Sequence, residues 1–304
     1  MRIPTNIVKE IITKVLNAND YRIHVVSLIN TEFLQWSLDF FKKVVFAKLA
    51  AEDITIDWYK KAFMNSSTPS EEYAVASGLN KKTIQNMYRT AKRQVVIDAA
   101  DTHFEDLYNS IQSLVNNDPE VDLTLTIKFR GVSVDLNVSE SLIVINTLAV
   151  KRAALRGGAW STVGKQVEKY LMLTLCKLYQ VSDKNYNAEH FVRTHEEPVE
   201  REIDFYLRNT SSEFKCEVKL MGQGNPESAD AIFARDTNVF IADTLSEQNK
   251  AQCNQLEVHW IACRDNEGYK KFGEILSALS IPHVEYSGVL NDDLPHIFDE
   301  IFQS

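Results

Sequence analysis

Three side chains within one short stretch could do chemistry together: Asp204 in R-E-I-D-F-Y-L, and Glu217 and Lys219 in E-F-K-C-E-V-K-L. Ile203, Phe205 and Leu207 alternate with Glu202, Asp204 and Tyr206, so a strand here turns Asp204 away from its apolar face. Glu217 and Lys219 are two apart and share the opposite face from Cys216, Val218 and Leu220. The intervening Asn209, Thr210, Ser211 and Ser212 read as a turn, which folds the strands into a hairpin and sets the carboxylates and the ammonium side by side. Ionised groups gathered on a sheet are costly to bury without a counter-charge or a metal. A hard divalent cation such as Mg²⁺ suits an oxygen set made of Asp204, Glu217 and the carbonyl of Val218. The chemistry of such a set is phosphodiester hydrolysis: a polarised phosphate oxygen, an acidified water, and Lys219 orienting or deprotonating that water while offsetting transition-state charge. Its products are a 5′-phosphate and a 3′-hydroxyl. The plain alternative is an exposed hairpin with a cross-strand Lys and Glu pair, worth roughly a few tenths of a kcal/mol.

The elements that must position these residues form an α/β half. From 121 to 139 the apolar period is two, broken by Arg130 and Gly131, which predicts a β-hairpin. A helix is expected over 140–155, a break at Gly157 and Gly158, and a second helix from Ser161 to about 180. Strands are expected near 201–208, 213–220, 238–242 and 257–262, with helices at 246–254 and 268–279, so the second half is built around a mixed sheet flanked by helices. The segment before 118 is patterned as helices at 6–17, 19–48, 53–63, 69–77 and 80–114. We therefore divide the chain into a mainly helical region, 1–118, and a catalytic domain, 119–304.

With these elements in place, Asp204, then Glu217, Val218 and Lys219 after twelve intervening residues, resemble the motif of the PD-(D/E)XK nuclease superfamily, which includes most type II restriction endonucleases and some resolvases and repair nucleases. The resemblance covers roughly 160–265. It implies a restriction-endonuclease-like core, and it gives Glu168, on the helix that precedes the hairpin, the part of an additional catalytic carboxylate. Ile203 stands where the superfamily commonly has Pro. The expected function is a Mg²⁺-dependent, sequence-specific endonuclease acting on double-stranded DNA. A homodimer is expected so that two identical sites cut both strands, with a companion DNA methyltransferase protecting the host. Two other readings stay open: a structure-selective repair or resolvase-type nuclease, and a helix-turn-helix DNA-binding regulator without catalysis.

The regulator reading comes from 70–90. Ala74, Gly78, Leu79, Ile84 and Met87 match a helix-turn-helix, with a small residue at the crossing, Gly at the turn and apolar anchors on the second helix. That helix offers Lys81, Lys82, Thr83, Gln85, Asn86 and Arg89, residue types that read base edges and phosphates. Lys92 and Arg93 add charge. Two helices of an ordinary bundle with a Gly corner would show the same pattern. Arg152 and Arg156 lie four apart on one helical face, and Ser161 or Thr162 could cap a following helix whose N–H groups favour phosphate. Gln223, Asn225 and Arg235 lie in or after the Gly-containing segment behind the catalytic strand, a natural place for recognition.

Whole-chain properties narrow the class. The 44% hydrophobic and 25% charged composition of the 304 residues is that of a globular protein. The net charge of -9 argues against a generic basic coat for nucleic acid but not against cations concentrated in one cleft. No apolar run spans a bilayer and the first residues lack a signal-peptide pattern, so a cytoplasmic protein is expected. Cys176, Cys216, Cys253 and Cys263 show no metal-ligand spacing and are expected to be buried free thiols.

Overall fold

The computed structural model describes residues 3–79, 81–117, 123–187, 205–220 and 237–302, with Lys81, Lys82 and Ser161 described by their backbone alone. The chain divides into two compact units, one of residues 1–26 and 160–304 and the other of residues 27–159. The division at 118/119 marks where helical patterning ends; the compact units are cut elsewhere. Among the described residues, no helix is long and apolar enough to cross a membrane.

The unit of residues 27–159 is built from helices and one hairpin. It holds most of α2 (Arg22–Leu49), then α3 (Ile56–Phe63), α4 (Ser70–Ala76), α5 (Lys81–Tyr88) and α6 (Arg93–Asn117). Strands β1 (Leu125–Phe129) and β2 (Val132–Leu136) pair antiparallel, with Phe129 opposite Val132. Arg130 (φ 50°) and Gly131 (φ 82°) close them with two left-handed residues, the backbone of a tight hairpin turn. The core joins Phe40, Val44, Tyr59, Tyr73, Phe104, Leu136 and Val144, with Tyr59 stacked on Phe104 at 4.8 Å.

The other unit contains a five-stranded mixed sheet ordered β3 (Tyr186–Asn187), β4 (Phe205–Arg208), β5 (Glu213–Lys219), β6 (Val239–Ala242) and β7 (His259–Ala262). β3, β4 and β5 run antiparallel in succession; β5, β6 and β7 run parallel. The expected turn holds β4 to β5: the Asn209 side-chain oxygen accepts from the N–H groups of Ser211 (2.9 Å) and Ser212 (2.8 Å). β6 is buried at every residue, as the apolar run Val239–Ala242 requires of a central parallel strand. Helices α1 (Thr5–Leu16), α8 (Glu247–Gln255), α9 (Lys271–Ala278) and α10 (Leu290–Phe302) complete the unit. α1 buries Val8, Ile11, Ile12, Val15 and Leu16, a stripe at helical spacing, and packs on α10.

One expectation about the scaffold is corrected. Gly157 and Gly158 do not break a helix: α7 runs without interruption over Val138–Leu178. Each Gly costs about 1 kcal/mol in a helix interior relative to Ala, and that cost is outweighed by the stripe of Ala159, Val163, Val167, Leu171 and Leu175, all buried. Residues 161 and 162 are therefore interior, and no helix N-terminus faces solvent there for a phosphate.

Candidate active site

β5 carries the centre of the site. Its buried Cys216 and Val218 alternate with Glu217 and Lys219, as the period of two demands. Glu217 is only 1% exposed, and its Oε1 meets the Lys219 Nζ at 2.7 Å. A buried carboxylate paired along the strand with a mostly buried ammonium excludes the exposed surface pair as an explanation. Burial of that kind costs several kcal/mol per ion unless further polar contacts repay it. The sheet is thus holding a charged pair in place for some purpose other than simple packing.

Glu168 joins it. This side chain, 5% exposed on α7, accepts the backbone N–H of Leu220 through Oε1 at 3.1 Å, so the helix is pinned to the end of β5. Gly164, one turn earlier, leaves room for it: a side chain there would touch the Glu168 carboxylate. The Lys219 carbonyl accepts from the N–H of Asp243 at 3.4 Å, which turns the preceding carbonyl, that of Val218, toward the β4 side of the strand. β4 begins at Phe205, opposite Cys216. Asp204, the residue before it, lies outside the described residues, as do Gln223, Asn225 and Arg235.

The sequence reading missed Asp243 and Tyr21. Asp243 is fully buried immediately after β6; its carboxylate accepts the Thr244 N–H at 2.8 Å and the Tyr21 hydroxyl at 3.4 Å. Burial first, then the charge of Asp243 and its hydrogen bond, push the Tyr21 phenol far above its ordinary range, and Glu168 adds to the effect. The phenol stays protonated and donating. The available signal was an Asp closing the wholly apolar run V-F-I-A, a position that must bury a carboxylate.

The described part of the site is therefore an oxygen-rich end of a parallel sheet with one ammonium. Among the described residues, no group of three or more His, Cys, Asp or Glu side chains forms a metal cluster. The donor chemistry nonetheless fits a hard cation: Glu217 and Glu168 are buried carboxylates, the first on β5 and the second bound to the Leu220 N–H just past its end. The four cysteines are free and buried, as expected; burial raises their thiols, to about 11 for Cys253 and about 12 for Cys263.

The sequence-marked DNA residues of the other unit are spread over α5 and α7. α4 and α5 meet at Gly78, whose φ of 89° makes the turn. Ala74 and Ile84 pack with Val96 and Ala99 of α6. Met87 is not the anchor expected of it, being 62% exposed: α5 has two turns, and Ile84 fills its narrow contact with α6. Gln85, Asn86 and Arg89 are exposed, and Thr83 is half-buried. Arg93 donates to the carbonyls of Ser66 (2.7 Å) and Thr68 (3.0 Å), so it ties down a loop. Arg152 is exposed, donates to the Asn30 side chain at 2.8 Å and lies 5.2 Å from the Phe33 ring centroid; Arg156 is exposed.

With this geometry in place, comparison with known families gives the class. A family model for the CfrBI restriction endonuclease matches residues 5–250, which takes in Glu168, Glu217, Lys219 and Asp243. The chain belongs to the CfrBI restriction endonuclease family. No match is found among curated proteins. Among solved structures, Can2 from Sulfobacillus thermosulfidooxidans in complex with cyclic tetra-adenylate is similar at 9% identity and a TM-score of 0.28, over 71% of this chain. The alignment spans 62% of that structure's length.

Proposed function

We propose that the protein is a Mg²⁺-dependent endonuclease that cuts double-stranded DNA at a specific sequence, on a PD-(D/E)XK core, leaving 5′-phosphate and 3′-hydroxyl ends. The observation that carries this reading is the Glu217–Lys219 pair, 2.7 Å apart and buried on one face of β5. Asp204, Glu217 and the Val218 carbonyl would hold the cation, with Glu168 as a further carboxylate. When bound, the ion supplies Lewis-acid polarisation of the scissile phosphate and acidifies a water. The Lys219 ammonium orients that water for attack on phosphorus and offsets the negative charge that builds on the phosphoryl oxygens. Glu217 keeps the ammonium in place by their ion pair. Glu168 fixes the strand end through the Leu220 N–H, so the catalytic face keeps its shape as substrate arrives.

Sequence choice is shared between the helices at 70–93, through Lys81, Lys82, Thr83, Gln85, Asn86 and Arg89, and the segment at 221–235, and cutting is assigned to 119–304. Arg152, Arg156, Gln223, Asn225 and Arg235 are assigned DNA contacts. Exposure of Gln85, Asn86 and Arg89 on α5 supports the first assignment. Two-strand cleavage calls for a homodimer, and cutting of host DNA is prevented by a companion methyltransferase. The test is incubation of purified protein with plasmid DNA and Mg²⁺: discrete fragments with a constant end sequence are expected. Absence of cleavage by wild type, or full cleavage by Asp204→Ala, sinks the proposal.

A further inference from the structure

A second charged site lies at the same strand ends. Thr244 follows β6 by two residues and Arg264 follows β7 by two, just as the paired row Lys219, Ala242 and Ala262 ends. The Arg264 N–H donates to the Asp243 carbonyl at 2.8 Å, which fixes its backbone to the strand that carries the buried carboxylate. Arg22, Thr244, Leu245, Arg264 and Asp265 line an open cavity of about 310 Å³. All of these residues belong to the sheet-containing unit.

The charges around this cavity balance, Arg22, Arg264 and Lys250 against Asp20, Asp243 and Asp265, but its hydrogen bonds do not. Asp20 is taken by Arg22: its carboxylate accepts the Arg22 Nε at 2.9 and 3.0 Å and pairs with the terminal guanidinium nitrogen, and Arg22 followed by the charge of Arg264 holds it far below the usual carboxylate range. Asp265 is held by Lys250 at 3.2 Å. Asp243 accepts from Tyr21 and Thr244. Arg264 is not fully used: its charge acts on Asp20, but its Nε is buried without a hydrogen-bond partner. A buried unpaired donor costs about 1–3 kcal/mol, and a guanidinium offers a planar fork of donors matched to a phosphate. The cavity is thus lined by two guanidinium groups and holds one unspent donor.

Resting on the nuclease reading above, we propose that Arg264, assisted by Arg22, binds a backbone phosphodiester of the DNA on the flank of the cut. Two strand spacings separate β7 from β5, about 10 Å, so the pocket takes a phosphate close along the backbone to the one at Lys219. It is a binding subsite that sets register on the backbone and reads no base. Arg264 lies beyond the family match, which ends at residue 250.

The test is the affinity of the full chain for a linear plasmid-derived duplex in EDTA, over a salt series. For Arg264→Gln the slope of log K against log salt falls by about one, and affinity at low salt drops about tenfold. Arg264→Lys retains the slope but loses part of the affinity, because the charge stays and the fork goes; it also serves as the folded comparison if the Gln variant melts early. Arg22→Gln follows the same pattern more weakly, its guanidinium being shared with Asp20. An unchanged slope in Arg264→Gln, with wild type binding and cutting, overturns the subsite alone. So does protection of wild type, but not Arg264→Gln, against thermal unfolding by inorganic phosphate with no change in the DNA slope, which would mark a site for a free anion. A wild-type protein that neither binds nor cuts DNA overturns the nuclease reading and the subsite together.

Discussion

Two buried glutamates, one in each compact unit, show how differently the same side chain can be used. Glu140, at the start of α7, accepts from Lys48 Nζ at 2.8 Å, from the Ile54 N–H at 2.8 Å and from the Asn137 N–H at 2.9 Å. Asn137 in return accepts the Glu140 N–H at 3.0 Å, which is a reciprocal helix cap. Its contacts fasten α2, the 50–54 connection and the start of α7 to one another. Glu217 lies within a strand and is paired with Lys219, two residues along the same face of β5. The lesson is that burial of a carboxylate locates both staples and sites. What separates these two is the setting: Glu140 gathers two backbone N–H groups and Lys48 at a helix start, whereas Glu217 is paired with an ammonium on its own strand.

This contrast can be broken by experiment. The largest effect is expected at the site: Lys219→Ala and Glu217→Gln should each cut the rate of plasmid linearisation by about 10²–10⁴-fold while duplex binding in EDTA persists. A Glu217→Gln protein that still linearises plasmid would reduce that pair to packing. The opposite pattern is expected for Glu140→Ala, which strips a buried pair and should lower stability by about 3 kcal/mol, read as a shift in urea midpoint, with cleavage by the surviving folded fraction unchanged. Gly268→Ala comes next. A side chain there would run into the Ala262 carbonyl, which is backbone and cannot step aside. A loss of about 1–3 kcal/mol is expected, measured by thermal melting; an unshifted melting temperature would show that the β7 end is looser than its packing indicates. The smallest effects belong to α5. Gln85→Ala and Arg89→Ala should leave stability alone and relax base choice at single positions by about 1–3 kcal/mol each, seen as cleavage at near-cognate sites. Unaltered site choice in both would move recognition elsewhere.

How much of this was legible beforehand follows from the range of each signal. The β4–β5 hairpin, its turn at Asn209 and the shared face of Glu217 and Lys219 are local, set by alternation over a few residues, and the structure places them as the pattern demands. Glu168 could be suspected only from its family likeness, since its contact with Leu220 spans 52 residues. Asp243, Tyr21 and Arg264 come together from three distant segments through the crossovers of a parallel sheet, and nothing in their own neighbourhoods announces that meeting. Gly157 and Gly158 misled for a related reason: a local propensity of about 1 kcal/mol each yields to a buried stripe whose partners are far away in sequence. Met87 shows the reverse error, an apolar side chain at the right spacing in a helix too short to bury it.

The uninterrupted α7 has a consequence for how the molecule loses its structure. Ala159 belongs to one compact unit and Trp160 to the other, yet they are consecutive residues of a single helix. Melting one unit alone would create a fresh helix end in mid-rod, stranding about four amide or four carbonyl groups, and regrowth would have to pay the nucleation penalty again. α2 crosses the same division between Val26 and Ser27. α7 therefore resists melting from its middle, because each residue lost there forfeits backbone bonds on both sides.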